Sequence, residues 1–157
     1  MALKIGQPAP NFSLYDTEKN KVTLSEQKGK NVLLLFFPLA FTRVCTEELC
    51  SIRDDFDRYS NANATIFGIS VDSFATLKKF KIEQTYNFTL LSDFNKEVST
   101  LYECIYEDFI GWMKGVSKRS AFIIDQNGII QYTEILEAAG ELPNFEAINS
   151  KLEQLNR

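Results

Sequence analysis

Residues Asn31–Phe37 read NVLLLFF, a run with no charge and no alternation. A strand with one wet face alternates apolar and polar side chains, so an unbroken apolar run has to be covered on both faces. Ala64–Val71, ATIFGISV, has the same character. Two such strands separated by a helical stretch predict a central sheet with helices packed on either side.

The remaining elements fall in order around this pair. Asn11–Tyr15 and Lys21–Leu24 flank the turn-forming Asp16–Asn20 and predict an N-terminal hairpin. A helix is predicted from about Arg43 to Tyr59, and a second over Ser73–Gln84 with Ser73 as its N-cap. A short strand at Phe88–Leu91 and a helix from Asn95 to Tyr102 follow. Ser120–Asp125 and Ile129–Ile135 are joined through Gln126-Asn127-Gly128, a hairpin signal. A closing helix, Asn144–Leu155, starts after Pro143. The result is an α/β sandwich with a mixed central sheet, the element order of the thioredoxin-like fold with an N-terminal extension. A chain of 157 residues fits one domain, 1–157, with no internal repeat or linker.

Composition serves mainly to exclude. A net charge of −4 offers no basic patch for nucleic acid or anionic lipid. The most apolar segment, Val32–Phe41, is about half of the roughly 20 residues a membrane-spanning helix needs. The N-terminus MALKIGQPAPNF has no apolar stretch of signal-peptide type, so a cytoplasmic protein is expected. Three cysteines, an odd number, fit poorly with a disulfide scaffold. The chain contains no histidine, which removes Cys-His and Ser-His pairs, His-containing zinc sites and imidazole bases together. Any activated thiol must gain its acidity in another way.

The stretch PLAFTRVCTEELC, Pro38–Cys50, places two of the cysteines at the start of the first long helix. At about 100° per residue, Cys45 falls on a stripe with Leu49, Ile52, Phe56 and Tyr59, the buried face. Cys50 falls about 140° away among Glu47, Asp54, Asp57 and Arg58, and is expected on the polar face. A buried cysteine is often just a small core hydrophobe. A thiol in a first helical turn, however, sits beside unpaired backbone N–H groups and the positive end of the helix dipole, which favour thiolate. Along an intact helix the two Cα atoms lie about 8.6 Å apart. A disulfide tolerates about 7 Å, so pairing requires the first turns to unwind. The spacing suits neither a zinc site nor a C-x-x-C dithiol, and no metal or cofactor is expected.

Pro38-x-x-x-Thr42-x-x-Cys45, after a buried strand and at a helix start, resembles the signature of the peroxiredoxins, cysteine-based peroxidases of thioredoxin-like fold. GQPAPNFSL, FGISVDS, FTLLSDFN and KRSAFIIDQNGII resemble further family segments in the family's order. The PLAFT wording is closest to the AhpE-like one-cysteine branch, and the Cys45–Cys50 spacing to the bacterioferritin-comigratory branch. The resemblance implies that Cys45 attacks a hydroperoxide and becomes a sulfenic acid. Arg119 would be the active-site arginine, oriented by Glu48. Thr42 would place its hydroxyl by the sulfur and the peroxide, and Pro38 would shield the thiolate from water. The N–H groups of Val44 and Cys45 would hold the developing oxyanion.

Cys50 would resolve the sulfenic acid, and a thioredoxin-, glutaredoxin- or mycoredoxin-like reductant would close the cycle, in a monomer or homodimer. Two alternatives stay open: a one-cysteine enzyme resolved by an external thiol, and a redox-sensing or interaction module without turnover. Cys104 is expected to be a packed cysteine. Trp112 and Met113, in a loop over Phe109–Lys118, are candidates to line the pocket or to make packing or dimer contacts.

Overall fold

The computed structural model describes residues 3–138 and 140–156. Its strands are β1 (Ser13–Asp16), β2 (Lys21–Thr23), β3 (Asn31–Phe36), β4 (Ala64–Ser70), β5 (Thr89–Ser92), β6 (Ser120–Ile124) and β7 (Ile130–Ile135). They form one seven-stranded sheet in the order β2-β1-β5-β4-β3-β6-β7. β3 runs parallel to β4 and β4 to β5, while β6, β7 and the β1–β2 hairpin pair antiparallel. The mixed sheet and the N-terminal hairpin expected from the sequence are both present.

β3 is buried at every position, and its two faces serve two cores. Leu33, Leu35 and Phe37 pack with Cys45, Leu49, Ile52, Leu77, Phe80, Ile148 and Leu152 on one side. Val32, Leu34 and Phe36 pack with Phe12, Tyr102, Cys104 and Phe122 on the other. Period-two alternation of an all-apolar strand thus feeds both layers, as a doubly covered sheet requires. Gly68 in β4 permits a close approach, because a Cβ there would meet Leu90 Cδ2 at 2.7 Å and Phe37 Cε1 at 3.5 Å.

The helices are α1 (Arg43–Asp54), α2 (Phe56–Asn61), α3 (Phe74–Gln84), α4 (Glu97–Leu101) and α5 (Phe145–Leu155). The single helix expected over Arg43–Tyr59 is therefore broken. Asp55 leaves helical geometry at φ −111°, ψ 22°, and a second short helix carries Tyr59 back into the core. The helix expected over Asn95–Tyr102 is also shorter, because Lys96 adopts a left-handed conformation. Its first N–H groups are capped from outside: the Asp93 carboxylate accepts from Val98 N at 3.1 Å and Ser99 N at 2.7 Å. Ser73 caps α3 as expected, its hydroxyl accepting from Thr76 N.

Candidate active site

Because β3 and β4 are parallel, their C-terminal ends lie side by side, and the loops that follow them meet there. Asp72, after β4, reaches across to accept from Ala40 N at 2.8 Å and is held by the Ser70 hydroxyl at 2.7 Å. Phe41 turns the chain into α1 through a left-handed φ of 68°. That conformation is costly for a bulky residue, and its ring is held on Phe80, centroids 4.9 Å apart. The tether and the bend fix the entry of α1.

At that entry lies a pocket of about 260 Å³ lined by Pro38, Thr42, Arg43, Val44, Cys45, Phe109, Arg119 and Gly140. Four separate parts of the chain meet here, and five of the sequence-predicted residues, Pro38, Thr42, Val44, Cys45 and Arg119, line it together. Cys45 lies at its floor with no exposed surface, and Pro38 is buried. Thr42 is the N-cap residue of α1 but makes no side-chain cap; its hydroxyl donates instead to Leu39 O at 2.8 Å. Intrahelical bonding starts with Thr46 N to Thr42 O. The N–H groups of Val44 and Cys45 therefore precede the helix ladder, and Thr42 Oγ1 keeps its lone pairs for an acceptor role.

Arg119, immediately before β6, is 1% exposed. Its Nη2 donates to Cys45 Sγ at 3.2 Å, and its Nη1 donates to Glu48 Oε1 at 2.6 Å. One planar guanidinium thus bridges a helix carboxylate and the thiol one turn earlier. Burial works against the Arg119 charge, but Glu48 and the cysteine more than offset it, so its pKa lies above the ordinary value. Glu48 is fully buried, and burial outweighs the attraction of Arg119, raising its pKa to about 7. Its second oxygen, Oε2, has no hydrogen-bond partner among the described residues.

The buried carboxyl makes stability pH-dependent. Between the ordinary value of 4.5 and about 7, the folded chain holds a proton on Glu48 that the unfolded chain has lost. This contribution is fully present below 4.5 and declines as pH rises to about 7. Glu48→Gln is expected to flatten the pH dependence of the urea midpoint across that window. Identical slopes in the two proteins would contradict this account.

Cys50 is not on an open polar face. It is half-buried, with Sγ 3.6 Å from Gln84 Oε1 and 3.7 Å from Tyr86 Oη. The helical wheel missed this because the end of α3 and the residues after it wrap the flank of α1. Cys104 is fully buried on the opposite side of the sheet from Cys45, and burial pushes its thiol up to about 12. Trp112 and Met113 do not line the pocket: Trp112 is 73% exposed, and Met113 packs against the Val71–Tyr106–Val116 cluster. Phe109 supplies the aromatic wall instead. Asp72 has a legible signal, a carboxylate directly after the second core strand. The loop over Phe109–Lys118 is expected by the pocket, but with Trp112 and Met113 rather than Phe109 as its lining, and Gly140 has no signal.

Comparison with known proteins agrees with this geometry. Residues 5–133 match the model of the AhpC/TSA family. Alkyl hydroperoxide reductase E of Mycobacterium bovis is 38% identical over 136 residues, covering 85% of this chain and 86% of the relative. Chloroplastic peroxiredoxin Q of Oryza sativa subsp. japonica is 37% identical over 127 residues, 81% of this chain; the match spans 57% of that longer relative. Among solved structures, peroxidoxin BcpB of Mycobacterium tuberculosis superposes with a TM-score of 0.86 at 26% identity, covering 98% of both chains. The fold, the cysteine pocket and these matches converge: the chain belongs to the AhpC/TSA family, among the peroxiredoxins.

Proposed function

We propose that the chain is a thiol-dependent peroxidase that reduces hydrogen peroxide and organic hydroperoxides through Cys45. The observation that carries this is the Arg119 guanidinium 3.2 Å from Cys45 Sγ, at a helix start whose first N–H groups lack a side-chain cap. The Cys45 thiolate attacks the distal oxygen of the hydroperoxide. An S–O bond forms, the O–O bond breaks, and the departing oxygen leaves as water or alcohol after taking up a proton. Thr42 Oγ1 accepts the hydroperoxide O–H. Arg119 and the N–H groups of Val44 and Cys45 meet the charge that develops on the separating oxygens. Pro38 keeps water from the sulfur.

Cys50 then attacks the sulfenic sulfur, forming a disulfide and releasing water, and a thioredoxin-, glutaredoxin- or mycoredoxin-like dithiol reduces it. α1 must open for this step. Such a cycle belongs in a compartment with a reducing dithiol supply; among the described residues no helix is long and apolar enough to cross a membrane. The one-cysteine alternative has an observation in its favour: Cys50 is held away by Gln84 and Tyr86 while α1 is folded.

Intact mass after one equivalent of hydroperoxide separates the two. Loss of two hydrogens is expected, with a stable gain of one oxygen only in Cys50→Ser; that gain in the unaltered chain would overturn the Cys50 role. Thr42→Val is expected to slow Cys45 oxidation about tenfold, the worth of one hydrogen bond to a developing charge, with Thr42→Ser near normal. A full rate in Thr42→Val, followed by stopped-flow mixing, would remove Thr42 from the mechanism.

A further inference from the structure

The break at Asp55 leaves α1 as a separate helix of 12 residues, a length that is marginal in water on its own. Its persistence depends on what it touches. Its inner stripe, Cys45, Leu49 and Ile52, packs on the core. Its flank is held by a different set of contacts, which converge from the end of α3.

α3 stops at Thr85, whose left-handed φ of 55° turns the next N–H back, so that Tyr86 N donates to Lys81 O at 3.1 Å. The Tyr86 ring is then fixed between Phe80 and Phe88, at centroid distances of 5.1 and 5.3 Å. From this rigid seat its hydroxyl donates to Thr46 O at 3.5 Å and lies 3.7 Å from Cys50 Sγ. Thr46 adjoins Cys45, so one hydroxyl touches both ends of the segment that must unwind. Arg53 adds a strap one turn later, its Nη1 donating to Gln84 O at 2.5 Å, and Asn87 Nδ2 donates to Arg53 O at 3.3 Å. The Tyr86 contacts to Thr46 and Cys50 span the turns that must unwind, and the Arg53 contacts hold the helix just beyond them.

We propose that Tyr86, supported by the Arg53–Gln84 strap, is a latch on α1 that sets how fast Cys50 reaches oxidised Cys45. The inference rests on the two-cysteine cycle proposed above. Tyr86 touches neither substrate nor the reacting sulfur of Cys45; it is a positioning residue that acts through the helix. While the latch is closed, Cys45 sulfenic acid stays in its pocket. A second hydroperoxide can then add another oxygen, giving sulfinic acid and one more water or alcohol. While it is open, Cys50 attacks and the disulfide forms with release of water. The latch therefore decides the partition between the two products, with no part in the first oxidation.

Tyr86→Phe removes the hydroxyl and keeps the buried ring. The expected result is disulfide formation about three- to tenfold faster, the effect of one lost hydrogen bond on the opening equilibrium. The sulfinic fraction at a fixed excess of hydrogen peroxide, read by intact mass, falls accordingly. The rate of the first Cys45 oxidation stays at the unaltered value. Amide exchange over residues 46–53 of the reduced protein becomes faster. Arg53→Gln, a change at a partly exposed side chain, is expected to shift partition and exchange in the same direction. A disulfide rate and sulfinic fraction unchanged or slower in Tyr86→Phe, or unchanged exchange over 46–53, would overturn the latch. Absence of any disulfide in the unaltered chain would instead overturn the two-cysteine cycle on which it rests; the exchange measurement still reads the latch itself.

Discussion

Cys45→Ser is expected to lower hydroperoxide consumption, with a thioredoxin-type reducing system present, to the uncatalysed background. The hydroxyl would occupy the same floor of the pocket, beside the same guanidinium, so the fold should survive the change of one atom. A serine hydroxyl, however, is too weak an acid to be ionised there without a general base, and the chain has no histidine to supply one. Oxygen also cannot pass through the sulfenic and disulfide states that the cycle needs. Cys104→Ser should leave turnover intact, since that thiol lies across the sheet. Turnover surviving in Cys45→Ser would place the chemistry elsewhere.

The second large effect is expected at Arg119. Removal of one preorganised donor to a developing charge slows a reaction by two to three powers of ten, about 3–4 kcal/mol, and Arg119→Ala should slow Cys45 oxidation by about that factor. It should also destabilise the chain, because Glu48 loses its partner while buried. With its pKa already near 7, Glu48 has an escape open to few buried carboxylates: it stays protonated to higher pH, which limits the loss. Arg119→Lys keeps a charge but not the fork that spans Glu48 Oε1 and Cys45 Sγ together, so an intermediate rate is expected. The double variant Arg119→Ala, Glu48→Gln should regain stability without regaining rate. Rate and stability recovering together would mean that Arg119 acts only by holding the fold.

Much of this arrangement is written in local patterns. The apolar runs at Asn31–Phe37 and Ala64–Val71 specify the parallel pair that brings two loops to one edge. The stripe through Cys45, Leu49 and Ile52 specifies the buried face of α1. Pro38, Thr42 and Cys45 lie within eight residues of chain, so their proximity needs no tertiary information beyond a strand end and a helix start. Other features depend on contacts that periodicity does not encode. The break at Asp55 is invisible to a wheel, because Phe56 and Tyr59 beyond it still pack on the same core. Cys50 reads as exposed on a helix taken alone, and is covered only because Thr85 turns Tyr86 toward it. The Arg119 contact spans 74 residues, and the resemblance, not spacing, pointed to it. The loop over Phe109–Lys118 is legible as a pocket candidate, but not that Phe109 rather than Trp112 is its lining residue, and nothing in the chain announces Gly140.

The central claim is that one hydroperoxide consumes the Cys45 thiolate and then the Cys50 thiol. Thiol titration in denaturant, before and after one molar equivalent of hydrogen peroxide without reductant, tests it most directly. The chain has three cysteines, all free in the structure. The account predicts that the count falls from three to one, with Cys104 remaining; a count of two would contradict the consumption of Cys50, and a count that stays at three would contradict the whole account.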